Sequence, residues 1–163
     1  MQMNNKPAFS IFVLVTLMIW NCKSDDAATP NAQDNQMVAL LNGETWESDG
    51  VSAEISTENF TISGFSEADS GSIIIIMLDE FRVGNHSLDP NGLNTAAMIL
   101  GNHLSQNLSF GFHSEEGIVE IENINEIDSL VSGKFYFSGR KNSVGEKMSL
   151  TDGVFKNIKY TAK

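Results

Sequence analysis

The 163-residue chain has one cysteine, three prolines and three histidines, and only 10 Lys and Arg against 21 Asp and Glu. Each shortage excludes something. With Cys22 as the sole thiol, no intramolecular disulfide can form, so an apolar core has to hold the fold. The deficit of bases, a formal net charge of −11, removes the surface that displaces counterions from a phosphate backbone, and nucleic acid is not an expected partner. His86, His103 and His113 stand on separate segments, without a second His or Cys at the close spacing of zinc sites. They read as surface residues, and neither a metal nor a cofactor is expected. No Gly-x-Ser-x-Gly elbow occurs, and no apolar run reaches the roughly 20 residues that cross a membrane. Helical periodicity nowhere lasts beyond about two turns.

What is there begins with an uncharged apolar run from Phe9 to Trp20, preceded by a single base, Lys6, and ended by Cys22. A basic residue, an apolar region of about 7 to 15 residues and a processing point make an export signal. Ile19-Trp20-Asn21-Cys22 resembles the lipobox of bacterial lipoproteins, with Ile19 at its aliphatic position and Trp20 and Asn21 where small residues are usual. The resemblance implies a signal peptide over residues 1–21 and an acylated Cys22 that attaches the mature chain to a membrane. Lys23-Ser24-Asp25-Asp26 resembles the acidic tag that directs Bacteroidota lipoproteins across the outer membrane. Expected localisation is therefore the outer membrane, facing the cell surface, with the periplasmic face as the alternative. Loss of Lys6 with the signal takes the formal charge from −11 to −12.

The 163 residues less the 21 of the signal leave 142, enough for one domain. Residues 22–36 are polar and without periodicity, a flexible tether. From residue 37 to residue 163 the pattern is of short strands. Asn42-Gly43 is a type I′ hairpin signal between Val38–Leu41 and Thr45-Trp46. Alternation of period two runs through Val51 to Ser56, Phe60 to Ser63, Leu108 to His113, and Val131 to Ser138. Ile73 to Leu78 has no polar alternation and reads as a strand covered on both faces, the centre of the core. Ser114 to Gly117 reads as a loop, Asp152-Gly153 as a turn before Val154 to Tyr160, and Thr95 to Leu100 suits strand or helix. About ten strands with turn signals every 8 to 12 residues define an all-β domain, a single antiparallel β-sandwich or barrel.

Taken in order behind the lipobox, Val38 to Gly43 with Trp46, Gly84 to Leu88, Gly133 to Phe137 and Leu150 to Phe155 resemble a family of small β-rich Bacteroidota lipoproteins of unassigned function. The resemblance implies architecture and location. It brings no active site.

Acidic pairs occur at Asp79-Glu80, Glu115-Glu116 and Glu120 with Glu122, and the last two would share one strand face. Two carboxylates about 5 to 10 Å apart serve glycoside hydrolysis, but an alternating acidic strand in solvent looks the same. Asp89-Pro90-Asn91-Gly92 supplies oxygens in a turn without the alternating ligands of a calcium loop. Asp128-Ser129-Leu130 resembles the O-glycosylation signal of exported Bacteroidota proteins, which makes Ser129 a candidate for modification.

These residues lead to the expectation of a non-enzymatic lipoprotein whose domain binds a protein or glycan or serves envelope structure. The alternatives are a lipocalin-like carrier of a small ligand and, further off, an envelope glycan hydrolase acting through Glu120 or Glu122.

Overall fold

The structure, a computed structural model, describes residues 30–68, 71–101, 111–141 and 145–163. Cys22, Lys23, Ser24, Asp25, Asp26 and His103, with Leu108 and Phe110 of an expected strand, lie outside the described residues. The described chain is built of ten strands: β1 (Gln36–Leu41), β2 (Glu44–Glu47), β3 (Gly50–Ile55), β4 (Phe60–Ser66), β5 (Ser72–Leu78), β6 (Gly84–Leu88), β7 (Thr95–Leu100), β8 (Phe112–Asn125), β9 (Leu130–Lys141) and β10 (Lys147–Ala162). Thr95 to Leu100 is thus a strand. Asn42 and Gly43 take φ of 50° and 90°, the left-handed pair that a type I′ turn requires, and so join β1 to β2.

Seven strands close on themselves in the order β3, β4, β5, β7, β8, β9, β10 and back to β3, so the sheet is a barrel. Two seams close it. At one, Tyr160–Ala162 of β10 pair in parallel with Ala53–Ile55 of β3; every other pairing is antiparallel. At the other, Ala97 with His113 and Met98 with Phe112 are, among the described residues, the pairs that join β7 to β8. Long strands carry additional partners beside these seams: β1 and β2 extend from the first half of β10, and β6 pairs with the middle of β8.

The strands β8, β9 and β10 run to 14, 12 and 16 residues, longer than the short elements expected. Ser114 to Gly117 is not a loop, and Asp152-Gly153 is not a turn between strands. Both stretches are bulges within continuous strands, where the register shifts between Ser114 and Glu116 and between Leu150 and Gly153. An extra residue on one strand bends it, which is what a long strand needs to follow a closed wall.

Ile73 to Leu78 is also corrected. Ile74, Ile76 and Leu78 are fully buried inside the barrel, whereas Ile73, Ile75 and Met77 face outward and are half-buried. A single closed sheet has one inner face, so the alternate residues of β5 are covered only by their neighbours along the outer wall.

The interior is filled by side chains. Phe60, Ile62, Ile74, Met98, Phe137 and Phe155 are each at most 1% exposed. Fully burying one such side chain contributes about 1.5–3 kcal/mol. Phe135 stacks between Phe137 and Phe155 at centroid distances of 6.5 and 6.4 Å. Toward one end, Phe81 packs on Phe60 at 4.5 Å and on Tyr160 at 5.0 Å. On β2, the Trp46 indole N–H donates to Ser72 Oγ at 2.7 Å in a buried bond. Before β1 begins, the chain already docks on β10: the Asn35 N–H donates to the Lys156 carbonyl, and Asn157 Nδ2 donates to Asp34 Oδ1.

Candidate functional site

The outer faces of β8, β9 and β10 form one continuous surface, because Ile118 pairs with Tyr136, Glu120 with Lys134, and Lys134 in turn with Val154. Alternation sends Phe135 and Phe137 inward and Lys134, Tyr136 and Ser138 outward. Tyr136 is 50% exposed, a large aromatic ring standing on the outside of the wall. A hollow of about 240 Å³ lies on one side of it, lined among others by Ile118, Glu120, Asp152 and Val154. A second hollow, of about 260 Å³, lies on the other side, lined among others by Glu116, Ser138, Ser149 and Thr151. The bulge at Asp152, with φ of 51°, contributes to the wall of the first. Tyr136 thus divides a shallow surface: the first hollow is mainly apolar, the second mixes apolar groups with hydroxyls, and carboxylates stand beside both.

Electrostatics on this face are those of exposed pairs. Lys134 Nζ forms an ion pair with Glu122, and the hydrogen bond and charge of Glu122, with a smaller contribution from Glu120, hold the ammonium above its ordinary pKa. Ser138 donates its hydroxyl proton to Glu116 Oε1 at 3.1 Å. Glu120 and Glu122 therefore sit on the surface around one lysine, with a bulge between Ile121 and Asn123 interrupting the register beside them. They do not face each other across a cleft.

The other residues singled out in the sequence are dispersed. Asp89 Oδ1 accepts from the Asn91 N–H and the Asp89 carbonyl from the Gly92 N–H, so this turn uses its oxygens for itself. Glu80 pairs with Arg82, whose hydrogen bond and charge lower the carboxyl's pKa. Arg140 Nε reaches Glu115 at 3.1 Å. His86 is not a surface residue: it is 3% exposed, and its ring Nε2 donates to the Arg82 carbonyl at 3.0 Å. It faces inward because β6 alternates His86 and Leu88 toward the core. His113 lies on the exposed face of β8. Among the described residues, no three His, Cys, Asp or Glu gather as metal ligands. Ser129 sits in the turn between β8 and β9 with φ of 57°, partly exposed, beside Ile127, which is 95% exposed.

Tyr136 was not among the residues singled out by sequence. Its signal was nonetheless present, because an aromatic in register with Lys134 and Ser138 on a strand whose other face is Phe135 and Phe137 must point to solvent.

Fold and surface together define an all-β barrel with a filled interior, whose concave features among the described residues include an aromatic-centred outer face. The chain belongs to a family described as a domain of unknown function, DUF6252, whose model matches residues 33–159. No curated protein and no solved structure matches the chain.

Proposed function

We propose that this chain is an envelope lipoprotein of a Bacteroidota cell, that its barrel is a non-catalytic binding module, and that the outer face around Tyr136 is its contact surface. In this reading residues 1–21 are removed, Cys22 is acylated, and Lys23-Ser24-Asp25-Asp26 carry the domain to the outer face of the outer membrane. Two or more acyl chains give stable attachment where one holds only marginally. Ser129, in an accessible turn, is the modification site.

The half-exposed Tyr136 between two hollows carries the reading of the barrel. Large aromatic side chains supply much of the contact energy at recognition surfaces, and here one is held outward by strand register. The packed interior favours an outer contact face over a carrier's chamber, and the Lys134 ion pair engages Glu122 as a surface charge.

The location is tested by protease shaving of intact cells carrying the wild type, Cys22→Ala or Asp25→Ala with Asp26→Ala. Clipping of the wild type and protection of the double-aspartate variant are expected; equal protection of all three would return the domain to the periplasm. The contact face is tested by placing a photoreactive benzoylphenylalanine at position 136 in living cells, with position 61 on another wall as the control. A cross-linked product is expected from 136 and not from 61. Absence of product at 136 would remove this face from the proposal.

A further inference from the structure

We propose that the ligand of this face is a saccharide chain, uncharged or amine-bearing, with one sugar ring stacked on Tyr136 and its neighbours seated in the two hollows. The inference rests on the reading of Tyr136 as a contact residue and names the chemistry that contact would take.

A pyranose ring has an apolar face of C–H groups and a rim of hydroxyls. The surface matches both. The Tyr136 ring offers the electron-rich face of its π system, to which polarised C–H groups are attracted. Ile118 and Val154, both half-buried, continue the apolar floor on the side of the first hollow. Around that floor stand acceptors for hydroxyl groups: Glu120 and Asp152 on one side of the ring, Glu116 and Thr151 on the other. Ionised carboxylates accept such hydrogen bonds with about twice the strength of neutral groups.

Geometry gives the ligand's length. Hollows of about 240 and 260 Å³ both include Tyr136 in their lining, so one ring separates two adjacent sites. A single monosaccharide would use one of them. A chain of at least two or three sugars uses the ring and both hollows.

Charge gives its class. Glu116, Glu120 and Asp152 border the face, Lys134 in the lining of the first hollow is already paired with Glu122, and loss of Lys6 with the signal takes the formal net charge from −11 to −12. Uronate or sulfate groups would be repelled, whereas hydroxyl or ammonium groups would not. A lysine-rich peptide would satisfy the carboxylates but leave the apolar floor beside Tyr136 without a flat partner, so the saccharide is the better match.

The mature lipidated chain in detergent is titrated calorimetrically against a panel of hexamers: cellohexaose, N-acetylglucosamine hexamer, glucosamine hexamer and hexagalacturonate, with hexalysine alongside. Binding by one or more of the first three is expected, and none by hexagalacturonate. Tyr136→Ala should weaken that binding by about tenfold or more, and Tyr136→Phe should keep it within about threefold. Thr61→Ala, on another wall, should leave it unchanged, and matching thermal midpoints exclude misfolding as the cause. Binding of hexalysine alone, or of hexagalacturonate in preference, overturns the saccharide assignment. If no hexamer binds while position 136 still cross-links in cells, the ligand class fails and the contact face stands; if both fail, the face itself is wrong.

Discussion

Phe155 of β10 lies against Gly133, its cross-strand partner on β9, and Phe135 of β9 lies against Gly153 of β10 in return. A Cβ added at Gly133 would overlap the Glu120 carbonyl oxygen and stand 2.5 Å from Phe155 Cζ. One added at Gly153 would stand 2.5 Å from the Phe135 carbonyl oxygen and 2.7 Å from its ring. Each missing side chain makes room for a ring from the neighbouring strand, and the rings stack on each other at 6.4 Å. Two of the four pieces of sequence that resembled a lipoprotein family, Gly133 to Phe137 and Leu150 to Phe155, are the two halves of this reciprocal packing.

Gly133→Ala and Gly153→Ala should each destabilise the barrel by about 1–3 kcal/mol through overpacking. Phe155→Ala should cost about 3–5 kcal/mol through the cavity it leaves. Urea midpoints at constant slope measure all three, and a Gly133→Ala midpoint equal to wild type would mean that the neighbouring wall yields.

Ser72→Ala leaves the Trp46 indole N–H buried without its acceptor, an expected loss of about 1–3 kcal/mol. Trp46→Phe removes the donor as well as ring volume. A double-mutant cycle between the two should return a coupling of about 0.5–1.5 kcal/mol. Strict additivity would mean that the bond adds nothing to holding β2 against β5.

Two exposed ion pairs predict the shape of stability against pH. Lys134, with its pKa raised by Glu122, stabilises below its unfolded value of about 10.4, and that contribution disappears as pH rises through the higher folded value. Glu80, with its pKa lowered by Arg82, stabilises above its unfolded value of about 4.3, and its contribution disappears as pH falls through the lower folded value. The thermal midpoint difference between wild type and Lys134→Met should therefore be flat from about pH 6 to 9, shrink above about pH 10.5, and diminish in high salt. A difference that persists unchanged at high pH would assign the effect of Lys134 to its packing.

Ser129 carries the modification prediction. Its turn is set by Asn125, whose Oδ1 accepts from the N–H groups of Ile127 and Asp128, so the backbone there does not depend on the serine side chain. The chain purified from its native host should show added mass that Ser129→Ala removes without a change in fold. Identical intact masses for the two chains would retire the site.

Much of the local structure was legible along the chain. Asn42-Gly43 announces its hairpin because the backbone there needs positive φ at both residues, a local demand with a local solution. Alternation announces β4 and β9 because one face of each is inside the barrel. The bulges were not legible, since two residues opposing one is a property of a strand pair and not of either strand. Ser114 and Asp152 looked like loop residues for that reason. His86 was misplaced because its segment, Gly84 to Leu88, carries too few apolar residues to mark which face turns inward.

The amino-acid sequence by itself determined the all-β class, a count of about ten strands and the Asn42-Gly43 hairpin, all of which depend on φ preferences and on a period of two. Tertiary structure decided the rest. Closure depends on Tyr160–Ala162 meeting Ala53–Ile55 from the far end of the domain, through backbone hydrogen bonds that nearly any residue can make. The outer face exists only once β8, β9 and β10 are paired, because their register and its shift beside Asp152 are what bring Glu116, Ile118, Tyr136, Asp152 and Val154 beside the same two hollows.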